Sequence, residues 1–241
     1  MEPKSDLLRT ETAATAYDDL YAGRAATDAH QSYSGYDRAY TDSHYYPLWL
    51  RVCEEVRRRN SRSVLEVGCG SGSFAHMLFD RVQVDYLGFD FSQEAVSKAR
   101  KRTGRADSFV VSRAEDDLAS TRDHDTIVCL EVLEHIERDL EVVSAWRPGV
   151  RCICSVPNFD QPDHVRYFSN EAEVRARYGS VIDIDTIERI PRALVRGRGW
   201  KAYLQQLIWA RDNPKRLLGL LGYHTFENVA GWIVFSGIRK G

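Results

Sequence analysis

The chain has 241 residues, which suits one α/β domain with a full core, and its composition of 43% apolar and 28% charged residues fits a soluble globular protein. No apolar run approaches the roughly 20 residues needed to span a bilayer, so no membrane contact is expected. A formal charge of −2 argues against wholesale electrostatic binding of nucleic acid. The start, Met1-Glu-Pro-Lys-Ser-Asp6, lacks a basic segment leading into an apolar core, and a cytoplasmic location is expected. Five cysteines (Cys53, Cys69, Cys129, Cys152 and Cys154) show no C-x-x-C spacing, which predicts buried thiols rather than disulfides or a zinc knuckle.

Residues 1–46 are polar and hold seven of the twelve tyrosines. Tyr46 to Arg59 reads as a helix, with Leu48, Leu50, Val52 and Val56 apolar and acids preceding bases along the axis. Short apolar runs then alternate with amphipathic segments. Ser63–Val67, Asp85–Asp90, Ser108–Val111, Thr126–Leu130 and Val150–Val156 read as strands. Such alternation predicts right-handed crossovers and a parallel sheet covered on both faces. A short helix at Asn170–Tyr178, a strand near Val181–Ile187 and a closing strand within Asn228–Ile238 follow. The expected fold is therefore a Rossmann-like, doubly wound, mostly parallel sheet with an antiparallel last strand.

Ser63-Val-Leu-Glu-Val-Gly-Cys-Gly-Ser-Gly-Ser73 is a buried strand running into a glycine-rich turn and then a helix. A dinucleotide fingerprint would place its third glycine at position 73, which is Ser73; the glycines here are Gly68, Gly70 and Gly72. The second strand ends in Asp90, and Ser92 is the better helix cap before Gln93-Glu-Ala-Val96. The G-x-G-x-G spacing after Glu66, with an acid twenty positions beyond Gly70, resembles the class I S-adenosylmethionine (SAM)-dependent methyltransferases. That resemblance covers Val64 to Pro157 well and the rest loosely. It implies SAM as cofactor, contacts from Glu66, Gly68, Cys69, Gly70 and Phe91, and an Asp90 carboxylate that accepts the ribose hydroxyls. It also assigns the adenine to Ala114 and Glu115, although many relatives have an acid where this chain has Arg113.

The fourth strand runs into Glu131-Val-Leu-Glu134-His135, a spacing of i, i+3 and i+4 that shares one face of a helical turn. The fifth ends in a loop carrying His164, and neighbouring strands four and five bring that residue towards the cluster. Glu131, Glu134, His135 and His164 form a mixed N/O donor set suited to a divalent cation. The E-x-x-E-H pattern resembles the ubiquinone-biosynthesis O-methyltransferases and the small-RNA 3′-terminal 2′-O-methyltransferases, and so implies Mg²⁺ or Mn²⁺ gripping vicinal oxygens. One plainer reading, in two parts, stands beside it. Glu131 binds only the amino group of the SAM methionine moiety, and Glu134-His135 is a helix-start carboxylate with a lone general base. His135 and His164 are candidate catalytic bases in either case.

The expected arrangement is one domain: a Tyr-rich lid over 1–45, a core over 46–190 and 227–241, and a helical insertion over 191–226. The insertion carries seven basic residues against the single acid Asp212. The expected reaction is O-methylation of a small hydroxylated metabolite, sugar or catechol-like, with cation assistance. A terminal RNA ribose and metal-free transfer to nitrogen or oxygen are the alternatives.

Overall fold

The computed structural model describes residues 14–22, 39–192, 208 and 230–241. Of the seven tyrosines near the start, Tyr33 and Tyr36 lie outside the described residues, as does nearly all of the basic insertion. Helix α1 (Ala14–Tyr21) precedes α2 (Tyr46–Arg58). There follow β1 (Ser63–Val67), α3 (Ser73–Arg81), β2 (Asp85–Asp90), α4 (Gln93–Thr103), β3 (Phe109–Val111) and α5 (Leu118–Thr121). The remaining elements are β4 (Thr126–Leu130), α6 (Asp139–Ala145), β5 (Arg151–Pro157), α7 (Glu171–Tyr178), β6 (Ile182–Pro191) and β7 (Gly231–Arg239).

The seven strands form one sheet in the order β3-β2-β1-β4-β5-β7-β6. The pairs among β1 to β5 are parallel, whereas β7 lies antiparallel between β5 and β6. This confirms the doubly wound reading and places the closing strand inside the sheet.

Strand alternation sorts the core into two layers. Val64, Val128 and Ile153 point towards α2 and α3, packing on Leu48, Val52, Met77 and Leu78. Leu65, Ile127, Cys129, Cys152 and Cys154 point the other way, onto Val142, Val143, Trp146 and Tyr178. All five cysteines are buried and reduced, as expected. With both faces covered, the central strands are apolar at nearly every position, which is why they stood out as continuous runs.

A buried ion cluster ties α6 and α7 to the loop after β5. Asp139, fully buried, accepts two hydrogen bonds from Arg177 (2.9 and 2.5 Å) and one from the Tyr178 hydroxyl (2.7 Å), and pairs with Arg166 at 3.2 Å. Arg166 also donates to the carbonyls of Leu133, Ile136 and Glu137. The turn after β4 is thus held from its own backbone.

Candidate active site

A cavity of about 480 Å³ opens at the carboxyl ends of β1, β2, β4 and β5 and is roofed by α1 and the segment before α2. In open α/β sheets this is where ligands bind, because the strands splay apart and leave backbone groups exposed. The glycine-rich turn forms one wall. Gly68, Gly70 and Gly72 have φ values of 71°, 50° and 74°, in the left-handed region where side chains are strained. At Gly72 an added Cβ would also stand 2.9 Å from the Ala99 Cα on α4, so this residue sets how closely α3 and α4 approach.

Asp90 closes the turn from β2. Its carboxylate accepts the Gly70 and Ser92 backbone N–H groups, each at 2.9 Å. Burial pushes its pKa up to about 6 against the pull of those amides. Ser92 caps α4 as expected, accepting from the Ala95 N–H at 3.1 Å. Asp18 of α1 joins this cap, accepting from the Ser92 hydroxyl (2.5 Å) and the Glu94 N–H (3.1 Å). The carboxylate of α1 therefore sits at the positive end of α4, which anchors the roof.

Beyond β3, Ser112, Arg113, Ala114 and Glu115 line the cavity; Arg113 faces Glu115 at 3.4 Å. Cys69 and Phe91 line it too. Glu66 reaches the cavity wall but is 3% exposed and accepts a hydrogen bond from the Tyr86 hydroxyl. Burial raises its pKa to about 8 from an ordinary 4.5. The folded protein therefore holds the Glu66 proton more tightly than the unfolded chain does. Its contribution to stability is complete below pH 4.5 and is lost as the pH rises towards 8, at up to about 1.4 kcal/mol per pH unit. Urea titrations between pH 5 and 8 are expected to show this slope, and Glu66→Gln to remove one proton's worth of it.

The cluster after β4 departs from its expected geometry. Strand β4 ends at Leu130, and Glu131 adopts a left-handed conformation with φ 58°. The chain reverses there before a single 3₁₀ turn over Leu133–His135, so Glu131 does not share a helical face with Glu134 and His135. Instead its carboxylate accepts from the Ser155 hydroxyl (2.9 Å) and from the Trp232 indole N–H (2.6 Å). Burial lifts its pKa to about 8.

Three of the four expected cation ligands do converge. Glu134, His135 and His164 each offer one donor atom within 4.8 Å of the others, and among the described residues Glu131 is not part of the group. Glu134 is fully buried, and neither carboxylate oxygen has a hydrogen-bond partner among the described residues. Burial drives its pKa well above the usual value, with the Glu131 charge adding to the effect. The two imidazole rings stand 4.9 Å apart, edge to face.

Each imidazole is oriented through its Nδ1. The His135 Nδ1 donates to the Asp163 carbonyl at 2.9 Å, with the Tyr17 hydroxyl at 3.4 Å, and the His164 Nδ1 donates to the Phe159 carbonyl at 3.3 Å. That leaves Nε2 of both rings with its lone pair, the form required of a base or a ligand. Burial, then the His135 charge, lowers the His164 pKa, so this ring stays neutral at physiological pH.

Tyr17 had no assigned role in the sequence, because its contact with His135 joins residues 118 positions apart. The Trp232 bond to Glu131 spans 101 positions and was equally hidden, although an aromatic with an N–H at the end of an otherwise apolar strand was the available signal.

A glycine-rich strand-to-helix turn, an acid at the end of the next strand and a seven-stranded sheet whose last strand in sequence lies antiparallel inside one edge define the class I SAM-dependent methyltransferase fold. Residues 65–151 match a methyltransferase domain family. The ubiquinone biosynthesis O-methyltransferase of Aliivibrio fischeri is 31% identical over 110 residues, covering 44% of this chain and 47% of that protein. A probable S-adenosylmethionine-dependent methyltransferase of Mycolicibacterium smegmatis is 33% identical over 119 residues, covering 46% of each. These matches span about half the length of those curated relatives. Among solved structures, magnesium protoporphyrin IX methyltransferase from Synechocystis with bound SAM superposes with a TM-score of 0.58 over 95% of this chain and 98% of that one, at 16% identity. No helix among the described residues is long and apolar enough to cross a membrane.

Proposed function

We propose that this chain transfers the methyl group of SAM to an oxygen of a small, planar hydroxylated metabolite in the cytoplasm, assisted by a divalent cation. The observation that carries the cation is Glu134. Among the described residues this fully buried carboxyl group has no hydrogen-bond partner, and it stands beside two oriented imidazoles, a donor set that a divalent cation would satisfy. The donor set of one carboxylate and two imidazoles fits Mn²⁺ better than Mg²⁺, which prefers oxygen throughout. When bound, such a cation lowers the pKa of an acceptor hydroxyl.

The protein residues have separate tasks in this reading. The glycine turn and Asp90 hold the nucleoside end of SAM, while Ala114 and Glu115 flank the adenine. Glu131, fixed by Ser155 and Trp232, faces the methionine end. With a cation held at Nε2 of both rings, the hydroxyl it acidifies would give its proton to water; without the cation, His135 or His164 takes that proton at Nε2, since Nδ1 of each is committed to a backbone carbonyl. Tyr45 and Trp49 line the cavity with stacked rings, centroids 5.5 Å apart, and give it an aromatic wall that favours a planar acceptor. The names of the ubiquinone-biosynthesis relatives support oxygen as the accepting atom.

The test is a Mn²⁺ titration of protein loaded with S-adenosylhomocysteine (SAH), followed by electron paramagnetic resonance. One tight site is expected in the wild type and none in His164→Ala. Absence of wild-type binding would leave metal-free transfer by an imidazole base.

A further inference from the structure

We propose that Arg192 anchors an anionic group, carboxylate or phosphate, on the methyl acceptor; this deepens the reading above and rests on it. Four of the acids that line the cavity are already engaged. Glu66 accepts from Tyr86, Asp90 from two backbone amides, Glu115 faces Arg113, and Glu131 is held by Ser155 and Trp232. Arg192 lines the same cavity, and its charge is felt at Glu131.

The position of Arg192 is set by the sheet. Its backbone N–H donates to the Ala230 carbonyl at 3.1 Å, directly beyond the last β6–β7 pair, Pro191 with Gly231. Gly231 is in turn locked to Asn158, whose side chain accepts the Gly231 N–H at 2.7 Å. The guanidinium stands over the Phe159 ring, 5.0 Å from its centroid. Phe159 also neighbours His164, with ring centroids 5.8 Å apart. One aromatic ring thus separates the cation from a candidate base.

The electrostatics leave this charge available. The Glu131 carboxyl, which feels the Arg192 charge, is already held by the Ser155 hydroxyl and the Trp232 indole N–H. A guanidinium on an aromatic face keeps its in-plane N–H groups open for a paired contact with a carboxylate or phosphate. Partial enclosure strengthens that contact relative to water. An acceptor bearing its anion one ring-width from the reacting hydroxyl would engage Arg192 and the imidazoles together.

The experiment uses the full chain loaded with SAH and reads quenching of tryptophan fluorescence. Matched pairs are titrated: 3,4-dihydroxybenzoate against 3,4-dihydroxybenzamide, and ribose 5-phosphate against ribose. The anionic member of one pair is expected to bind at least about tenfold tighter than its neutral partner, and the pair that responds distinguishes carboxylate from phosphate. Arg192→Gln should abolish the preference and Arg192→Lys retain part of it, both with SAH affinity unchanged, which also shows that they fold. Equal affinities within both pairs, no binding of either anion, or a preference that survives Arg192→Gln overturns the proposal. Failure of the wild type to bind SAH overturns the cofactor reading instead, and this one with it.

Discussion

Asp90→Ala is expected to lower the affinity for SAH by about two orders of magnitude. Two hydrogen bonds from ribose hydroxyls to a carboxylate, at about 1.5–3 kcal/mol each, account for a loss of roughly 100-fold or more. The variant should also lose about 1–3 kcal/mol of stability, because the Gly70 and Ser92 N–H groups that Asp90 accepts are left unpaired. Isothermal titration calorimetry and urea unfolding read the two effects separately. The wild type adds an internal check, since the accepting form is the carboxylate and its pKa is raised to about 6. Affinity is therefore expected to fall as the pH drops from 7.5 through 6. Affinity that is level across that range would show that the ribose is held elsewhere.

Glu134→Met is expected to act in opposite directions on stability and function. Glu134 is buried, and among the described residues neither of its carboxylate oxygens has a hydrogen-bond partner, so an apolar side chain of similar length relieves a penalty of about 1–3 kcal/mol. In chelator, the variant should unfold at higher urea concentration than the wild type. With Mn²⁺ in excess the order should reverse, because a ligand bound only by the folded wild type stabilises it by about 2.7 kcal/mol at one hundred times its dissociation constant. Methyl transfer should be lost in the variant. A variant no more stable than the wild type in chelator would mean that Glu134 has a partner after all.

The core of the fold was legible because its strands are covered on both faces. Ser63–Val67, Asp85–Asp90 and Thr126–Leu130 fall at the expected residues, and the continuous apolar runs leave little ambiguity there. The closing strand was placed, but its position between β5 and β6 depends on long-range pairing that no local pattern encodes. Likewise the helical spacing of Glu131, Glu134 and His135 suggested one shared face, whereas the left-handed Glu131 breaks the turn. A strained backbone at a site residue is the usual way local rules fail, since the surrounding packing over-determines it. His164 arrived where expected because strands β4 and β5 are neighbours, a topological inference rather than a local one.

The insertion of β7 between β5 and β6 has a temporal consequence. During synthesis β6 leaves the ribosome about forty residues ahead of β7, so for a time on the order of seconds β5 carries an unsatisfied edge and β6 has no partner strand in the sheet. The same late strand brings Trp232 to Glu131. Until then Glu131 lacks its Trp232 donor while the β5 edge and the whole of β6 stand unpaired, which makes these last pairings the stretch of folding most exposed to aggregation.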